Sequence, residues 1–177
     1  VDTTTVTLSS TTAGQSIAEG GTITYTATVG APVTGSNLLV TLSDGTVVTI
    51  LVGASSGTAT ATVRADNPYI NANDTLSVTI GSTSGGNFEA VATAGTVANT
   101  VVDDVDTTTV TLSSATAGQS ITEGGTITYT ATVGSPVTGS NLLVTLSDGT
   151  VVTILVGQSS GSATATVRPD NVYVDSN

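Results

Sequence analysis

Histidine, cysteine, methionine, tryptophan and lysine are all missing from this 177-residue sequence, and only Arg64 and Arg168 stand against 13 acids. Each absence closes off a class of function. Without histidine or cysteine there is no general base of the usual kind, no thiol nucleophile and no ligand set for zinc or copper. Disulfides are impossible, so any stapling must come from elsewhere. Two arginines in a chain of net charge -11 give a phosphate-binding groove almost nothing to work with, which argues against nucleic acid as a partner. No apolar run approaches the ~20 residues of a membrane helix, so membrane insertion is not expected, and no segment has the order of a signal peptide. Disorder does not fit either, because only 8% of residues are charged and the mean hydropathy is +0.33.

What is present is a repeat. Val1-Asp2-Thr3-Thr4-Thr5-Val6 returns as Val105-Asp106-Thr107-Thr108-Thr109-Val110, a period of 104 residues. Residues 1–73 align without a gap on 105–177 and differ at ten positions. A period this long fits a whole domain rather than a solenoid unit. The reading is one repeat at 1–104 and a second, incomplete copy at 105–177, which is a fragment, a partly disordered unit or one completed by another chain.

Alternation with period two dominates each unit. Thr22 to Val29 places Ile23, Tyr25, Ala27 and Val29 on one face and four threonines on the other. Leu38, Val40 and Leu42 alternate next, an apolar run covers Val47 to Val52, and Thr58 to Val63 alternates again. Leu76, Val78 and Ile80 repeat the pattern, an early strand holds Val6 and Leu8, and a last one lies near Thr96 to Val102. Threonine and valine suit strands because β-branched side chains pack well on a pleat. Turn signals separate the runs, and no useful stretch has a 3.6-residue period. The predicted fold is all-β: tandem immunoglobulin-like Greek-key β-sandwiches of about seven strands each. Their cores are thin, since Ala and Val bury little area apiece and aromatics make up 3% of the chain.

Strand order then places the acids. Glu19 falls between the first and second strands, and Asp44 between the third and fourth. Asp66 and Asp74 bracket the next long connection, with Asn67, Asn71 and Asn73 between them. Asp103, Asp104 and Asp106 follow the last strand. Strands that alternate in direction bring all of these to one pole, while Asp2 and Glu89 go to the other. In an array the two poles meet at every joint. The second copy repeats the lower set as Glu123, Asp148, Asp170 and Asp175.

Singly, each acid reads as a solvated loop residue. Asp44-Gly45 is a common turn dipeptide, and Asp66 suits a turn cap. Together, seven carboxylates at one joint with no nearby lysine repel strongly. A hard divalent cation resolves this. Calcium takes about six to eight oxygens from carboxylates, Asn side chains and carbonyls, whereas magnesium wants a stricter octahedron. The expected cofactor is Ca2+, several ions per repeat clustered at the joints, with these acids and Asn67 as ligands.

The unit length, Glu19-Gly-Gly-Thr-Ile-Thr-Tyr-Thr-Ala-Thr-Val29, Pro32-Val-Thr-Gly35, Leu42-Ser-Asp-Gly-Thr46, Asp66-Asn-Pro-Tyr69 and Ser84-Gly-Gly-Asn-Phe-Glu89 resemble the tandem extender repeats of giant RTX-type bacterial adhesins. LapA-like biofilm adhesins and an ice-binding adhesin carry such repeats. The resemblance implies calcium-dependent immunoglobulin-like domains strung into rods, exported by type I secretion, with calcium at the domain junctions. Carried over, the linker motif falls on Asp103, Asp104 and Asp106, the Glu-Gly-Gly acid on Glu19 and Glu123, and the Asp-Asn pairs on Asp66-Asn67 and Asp170-Asn171. Asp175 stands where the first unit has Asn71, so a site there differs between units.

The expected function is a structural spacer of a secreted, cell-surface bacterial adhesin, stiffened by calcium, supporting adhesion and biofilm and projecting a distal ligand region that lies outside this chain. Its expected partners are neighbouring repeats. A self-assembling filament or surface-layer subunit is the alternative. A glycan- or ice-binding module is a weaker one, resting on Thr22, Thr24, Thr26 and Thr28. An enzyme is not expected, since paired acids repeated at joints without an aromatic cleft make a poor unique active site.

Overall fold

The structure, a computed structural model, describes residues 1–173. Val174 to Asn177, including the Asp175 position, lie outside the described residues. The chain divides into two compact units, Val1–Val105 and Asp106–Asn177.

Unit 1 has nine strands: β1 (Thr3–Ser9), β2 (Ser16–Ala18), β3 (Thr22–Thr28), β4 (Leu38–Leu42), β5 (Val47–Ile50), β6 (Ser56–Thr62), β7 (Asp74–Gly85), β8 (Ala90–Ala94) and β9 (Thr96–Val102). They form a four-stranded sheet, β6-β3-β1-β8, and a five-stranded sheet, β2-β9-β7-β4-β5. This is the immunoglobulin-like all-β sandwich that the alternation implied. The core lies between the sheets because each strand turns its apolar residues to one side. Val6, Leu8, Ile23 and Tyr25 enter it from the first sheet; Leu38, Val40, Val48, Ile50, Val78 and Val97 enter from the second, all buried.

All seven expected strands are present, and two short ones join them. Both new strands arise because the first and the last segments of the unit each change sheets midway. β1 pairs antiparallel with β3, and then the chain crosses so that β2 pairs parallel with β9. In the same way β8 pairs parallel with β1 before β9 pairs antiparallel with β7. The second crossing turns on Gly95, at φ 93°. A Cβ there would sit 2.3 Å from the Leu8 carbonyl oxygen, so only glycine admits the approach.

The apolar run Val47 to Val52 ends as a strand at Ile50, and Leu51 and Val52 are exposed in the turn that follows. Backbone bonds from Gly53 N–H to the Val33 carbonyl and from Val33 N–H to the Ala54 carbonyl, both 2.8 Å, close this turn and win over the apolar pattern.

Antiparallel pairing of β3 with β1 and β6, and of β4 with β5 and β7, sets the polarity. The β2–β3 turn, the β4–β5 turn, the β6–β7 loop and the exit from β9 lie at one end. The β7–β8 connection lies at the other.

Unit 2 holds β10 (Thr111–Ser114), β11 (Thr126–Thr132), β12 (Leu142–Thr145), β13 (Val151–Ile154) and β14 (Ser160–Thr166). They form the sheets β10-β11-β14 and β12-β13. The β11–β14 register, Thr126↔Thr166 to Thr132↔Ser160, repeats that of β3–β6. Among the described residues this unit has no counterpart of β7 to β9. Leu112 is therefore 49% exposed, where its equivalent Leu8 is 3% exposed.

Replacing Gly95 with Ala should cost about 2 kcal/mol or more, from the positive φ and the clash at Leu8. Urea unfolding monitored on unit 1 alone checks it, and a midpoint equal to wild type would contradict the sheet crossing described.

Candidate metal centre

The Glu19-Gly20-Gly21 turn sits between two other segments and is fastened to both. Glu19 N–H donates to the Val102 carbonyl at 2.9 Å, which extends the β2–β9 pairing by one residue. Gly20 N–H donates to the Arg64 carbonyl at 2.7 Å, beyond the end of β6. A Cβ on Gly20, at φ 72°, would lie 3.0 Å from the Asp66 Cβ, so this glycine is what lets the Asp66 side chain come so close.

Three segments thereby converge, and with them their carboxylates. Glu19, Asp66, Asp104 and Asp106 each offer an oxygen, and these oxygens all lie within 4.8 Å of one another. Asp104 and Asp106 are carried by the peptide that leaves β9, on either side of Val105. Glu19 is buried and the other three are exposed.

The Glu19 side chain has no exposed surface, and its charge is met by an ordered set of donors. Arg64 Nε donates to its Oε2 at 2.8 Å and Asn67 Nδ2 at 3.1 Å. Asn71 Nδ2 reaches the same carboxylate at 3.3 and 3.4 Å. Asn71 also donates to Asn67 Oδ1 and to the Tyr69 carbonyl, both at 2.9 Å, while its backbone N–H donates to Asp103 Oδ1 at 3.0 Å. Arg64 continues outward through Nη1, donating to Asp74 Oδ2 at 2.9 Å and to the Ala72 carbonyl at 3.1 Å. Desolvation works to lower the Arg64 pKa, but the Glu19 and Asp74 carboxylates outweigh it and hold the guanidinium above its ordinary value.

Of the remaining expected ligands, Asn67, Asp74 and Asp103 belong to the network around Glu19, and Asp44, Asp2 and Glu89 lie away from it. Asp74 pairs with Arg64, and Asp103 holds the Asn71 backbone. Asn67 Oδ1 accepts from the Tyr69 and Asn71 nitrogens. Asp44 is at the same end of unit 1 but in the β4–β5 turn, at the edge of the sheet opposite β2. It accepts from Thr46 N–H at 2.9 Å and faces the Tyr25 hydroxyl. Glu89 is at the far end, where it accepts from the Asp2 backbone N–H at 2.7 Å.

In unit 2, a Cβ on Gly124 would lie 3.0 Å from the Asp170 Cβ, as one on Gly20 would from Asp66. Glu123 keeps its arginine, Arg168, at 3.7 Å and is 25% exposed. Asp148 accepts from Thr150 N–H at 2.9 Å, and this backbone bond is the main reason its pKa is lowered.

One buried polar residue went unnoticed in the sequence. Asn99 is 3% exposed on β9, and its amide donates to the carbonyls of Thr12 and Gln15, pinning the crossing between β1 and β2. Its signal was there to read: in Val97-Ala98-Asn99-Thr100-Val101 it occupies the inward phase shared by two valines.

The donor set is entirely carboxylate oxygen. One member is buried and held in place, and Arg64 is the only guanidinium drawn to it among the described residues. Such a set suits a hard cation, so this cluster could bind a metal ion. A LapA domain model matches residues 2–105 and again 106–177. The chain belongs to the LapA domain family. No curated protein matches it. Membership in the LapA domain family makes this an adhesin-related region and suggests a cell-surface protein. No helix among the described residues is long and apolar enough to cross a membrane.

Arg64→Met should lower the urea midpoint in the absence of divalent ions, because it strands the buried Glu19 charge, and Glu19→Gln added to it should recover much of that loss. Urea midpoints of the single and double variants decide this. Tyr25 gives a second test. Burial, and then the Asp44 carboxylate, push its pKa from 10.0 up to about 12. Between those values the unfolded chain binds fewer protons than the folded one. The stability this group contributes is therefore complete below pH 10 and lost as pH rises towards about 12. Tyr25→Phe should flatten the fall in the unfolding midpoint over that window.

Proposed function

We propose that this chain is an extender region of a secreted bacterial cell-surface adhesin, stiffened by calcium, and that it holds a distal ligand-binding region away from the cell. The observation that carries the reading is the convergence of Glu19, Asp66, Asp104 and Asp106 on the peptide that leads from one unit into the next. The LapA family match and the repeated sandwich support it.

In this reading the chain's own residues do most of the work. Glu19 is fixed before any ion arrives: Arg64 and the Asn67 and Asn71 amides hold its Oε2 side. Asp66 is set by the glycine approach, and Asp104 and Asp106 come from the connecting peptide. A calcium ion supplies the positive charge that lets these carboxylates stay together. Tying Asp104 and Asp106 to Glu19 and Asp66 restricts the connecting peptide, which is how a local ion stiffens a string of units. Extracellular calcium modules work at about 10⁻⁴–10⁻³ M. Sites of that strength fill outside the cell and stay empty inside, where a looser chain is easier to export by type I secretion. A region of this kind acts by position and stiffness and needs no catalytic group.

Binding to the folded state alone stabilises by RT ln(1 + [L]/Kd), or ~2.7 kcal/mol at a hundredfold excess. Calcium should therefore raise the melting midpoint of unit 1 by on the order of 10 °C over a chelator control, with a smaller gain from magnesium. Asp104→Asn with Asp106→Asn should abolish most of the gain. A midpoint indifferent to calcium would refute the reading.

A further inference from the structure

The longest strands at the rim of any sheet here are β6 and its copy β14, seven residues each. β6 is the outer strand of the four-stranded sheet, and β14 the outer strand of the three-stranded one. The phase of their ladders is fixed by two bonds in each unit. Val63 N–H donates to the Gly21 carbonyl at 3.0 Å and Val29 N–H to the Ser55 carbonyl at 2.8 Å. Val167 N–H donates to Gly125 and Val133 N–H to Ser159, both at 2.9 Å. Residues alternate along an antiparallel ladder between those that bond the partner strand and those that face away. Ala59 and Ala61 therefore bond β3, while Thr58, Thr60 and Thr62 direct their N–H and C=O groups outward. No described residue takes them. Ser162, Thr164 and Thr166 stand the same way on β14.

Natural sheets blunt such rims with charge, proline, a bulge or brevity. β2 has three residues and β5 four, and Thr49 of β5 packs its carbonyl oxygen against Gly57. β6 and β14 carry none of these devices: Ser56-Gly-Thr-Ala-Thr-Ala-Thr62 and Ser160-Gly-Ser-Ala-Thr-Ala-Thr166 have no charge and no proline, and their registers run unbroken. Indeed β1, β3, β6 and β8 contain no charged residue at all. On a chain of net charge -11, this uncharged rim meets far less repulsion from a second copy than the acid-rich end of unit 1 does.

We propose that β6, and likewise β14, pairs antiparallel with the same strand of a second copy of this chain, joining two sheets rim to rim. A two-fold axis beside Thr60 sets Thr60 opposite Thr60 and Thr58 opposite Thr62, so the outward groups meet in about six backbone hydrogen bonds. On β14 the axis lies beside Thr164. One such rim is small against a standard interface of about 800 Å2 per partner, so single contacts are transient. Two rims per chain add by avidity.

Sedimentation velocity of the 177-residue chain in calcium, from roughly ten micromolar to about one millimolar, should show reversible association. Thr60→Lys with Thr164→Lys should weaken it at least roughly tenfold while leaving the melting midpoint near wild type. Thr60→Pro with Thr164→Pro is the second variant: it deletes outward N–H groups alone, which a rim strand tolerates. Hydrogen exchange should find the amides of Thr58, Thr60 and Thr62 fast when dilute and slowed when concentrated, with Ala59 and Ala61 slow throughout. A monomer over the whole range overturns the proposal. So does association that both double variants leave intact, or association that Thr24→Lys on the central strand abolishes in their place, which would put the contact on the sheet face.

Discussion

The pairing of buried Glu19 with the half-buried Arg64 is the constraint on which the lower end of unit 1 depends. It joins the β2–β3 turn to the segment after β6, and through Asp74 and the Ala72 carbonyl it reaches the start of β7. Remove that pair and the Asn67 and Asn71 amides lose the acceptor around which the β6–β7 loop is folded. The loop carries Asp66, and the turn carries Glu19, so the carboxylate cluster exists only because one ion pair has already been satisfied. A charge this deeply buried is stabilising only when it is fully hydrogen-bonded. Here one oxygen is saturated with donors, and the carboxylate still has capacity to spare on its other side.

Much of this was legible in the order of residues, for a physical reason. Each long strand buries one face and exposes the other, so threonine alternating with apolar residues reports a strand directly. Parity then gives the height of every loop. Glu19, Asp66, Asp104 and Asp106 could be assigned to one end without any structure. Parity does not give position across a sheet. Asp44 shares the end but sits at the opposite rim, where it accepts from Thr46 N–H and faces the Tyr25 hydroxyl. Nor could local pattern foresee β2 and β8. β2 is only three residues long, and the alanine-rich β8 is half-buried rather than alternating. Both exist through parallel pairing with strands far away in the sequence. Asn99 belongs to the same class, since its role is to fasten a crossing that alternation cannot announce.

The two units also show how far local sequence reaches. β3 and β11 have identical residues and the same register with their neighbours. Yet Ile23 and Tyr25 are fully buried in β3, and the corresponding positions of β11 are only partly covered. Strand formation follows from the local pattern. Burial follows from what packs over it, and in unit 1 that cover comes from β7 to β9.

The paired crossings have a mechanical consequence. β1 and β2, which follow the entry to unit 1, lie parallel to β8 and β9, which precede its exit. Tension applied at the two ends drags these neighbours past one another along their length. The rungs between them, from Thr3↔Ala90 to Thr7↔Ala94 and from Ser16↔Thr100 to Ala18↔Val102, must then yield in shear as a group, not peel open singly from one end. A unit wired this way resists being drawn out by force far better than its modest, valine-rich interior would suggest.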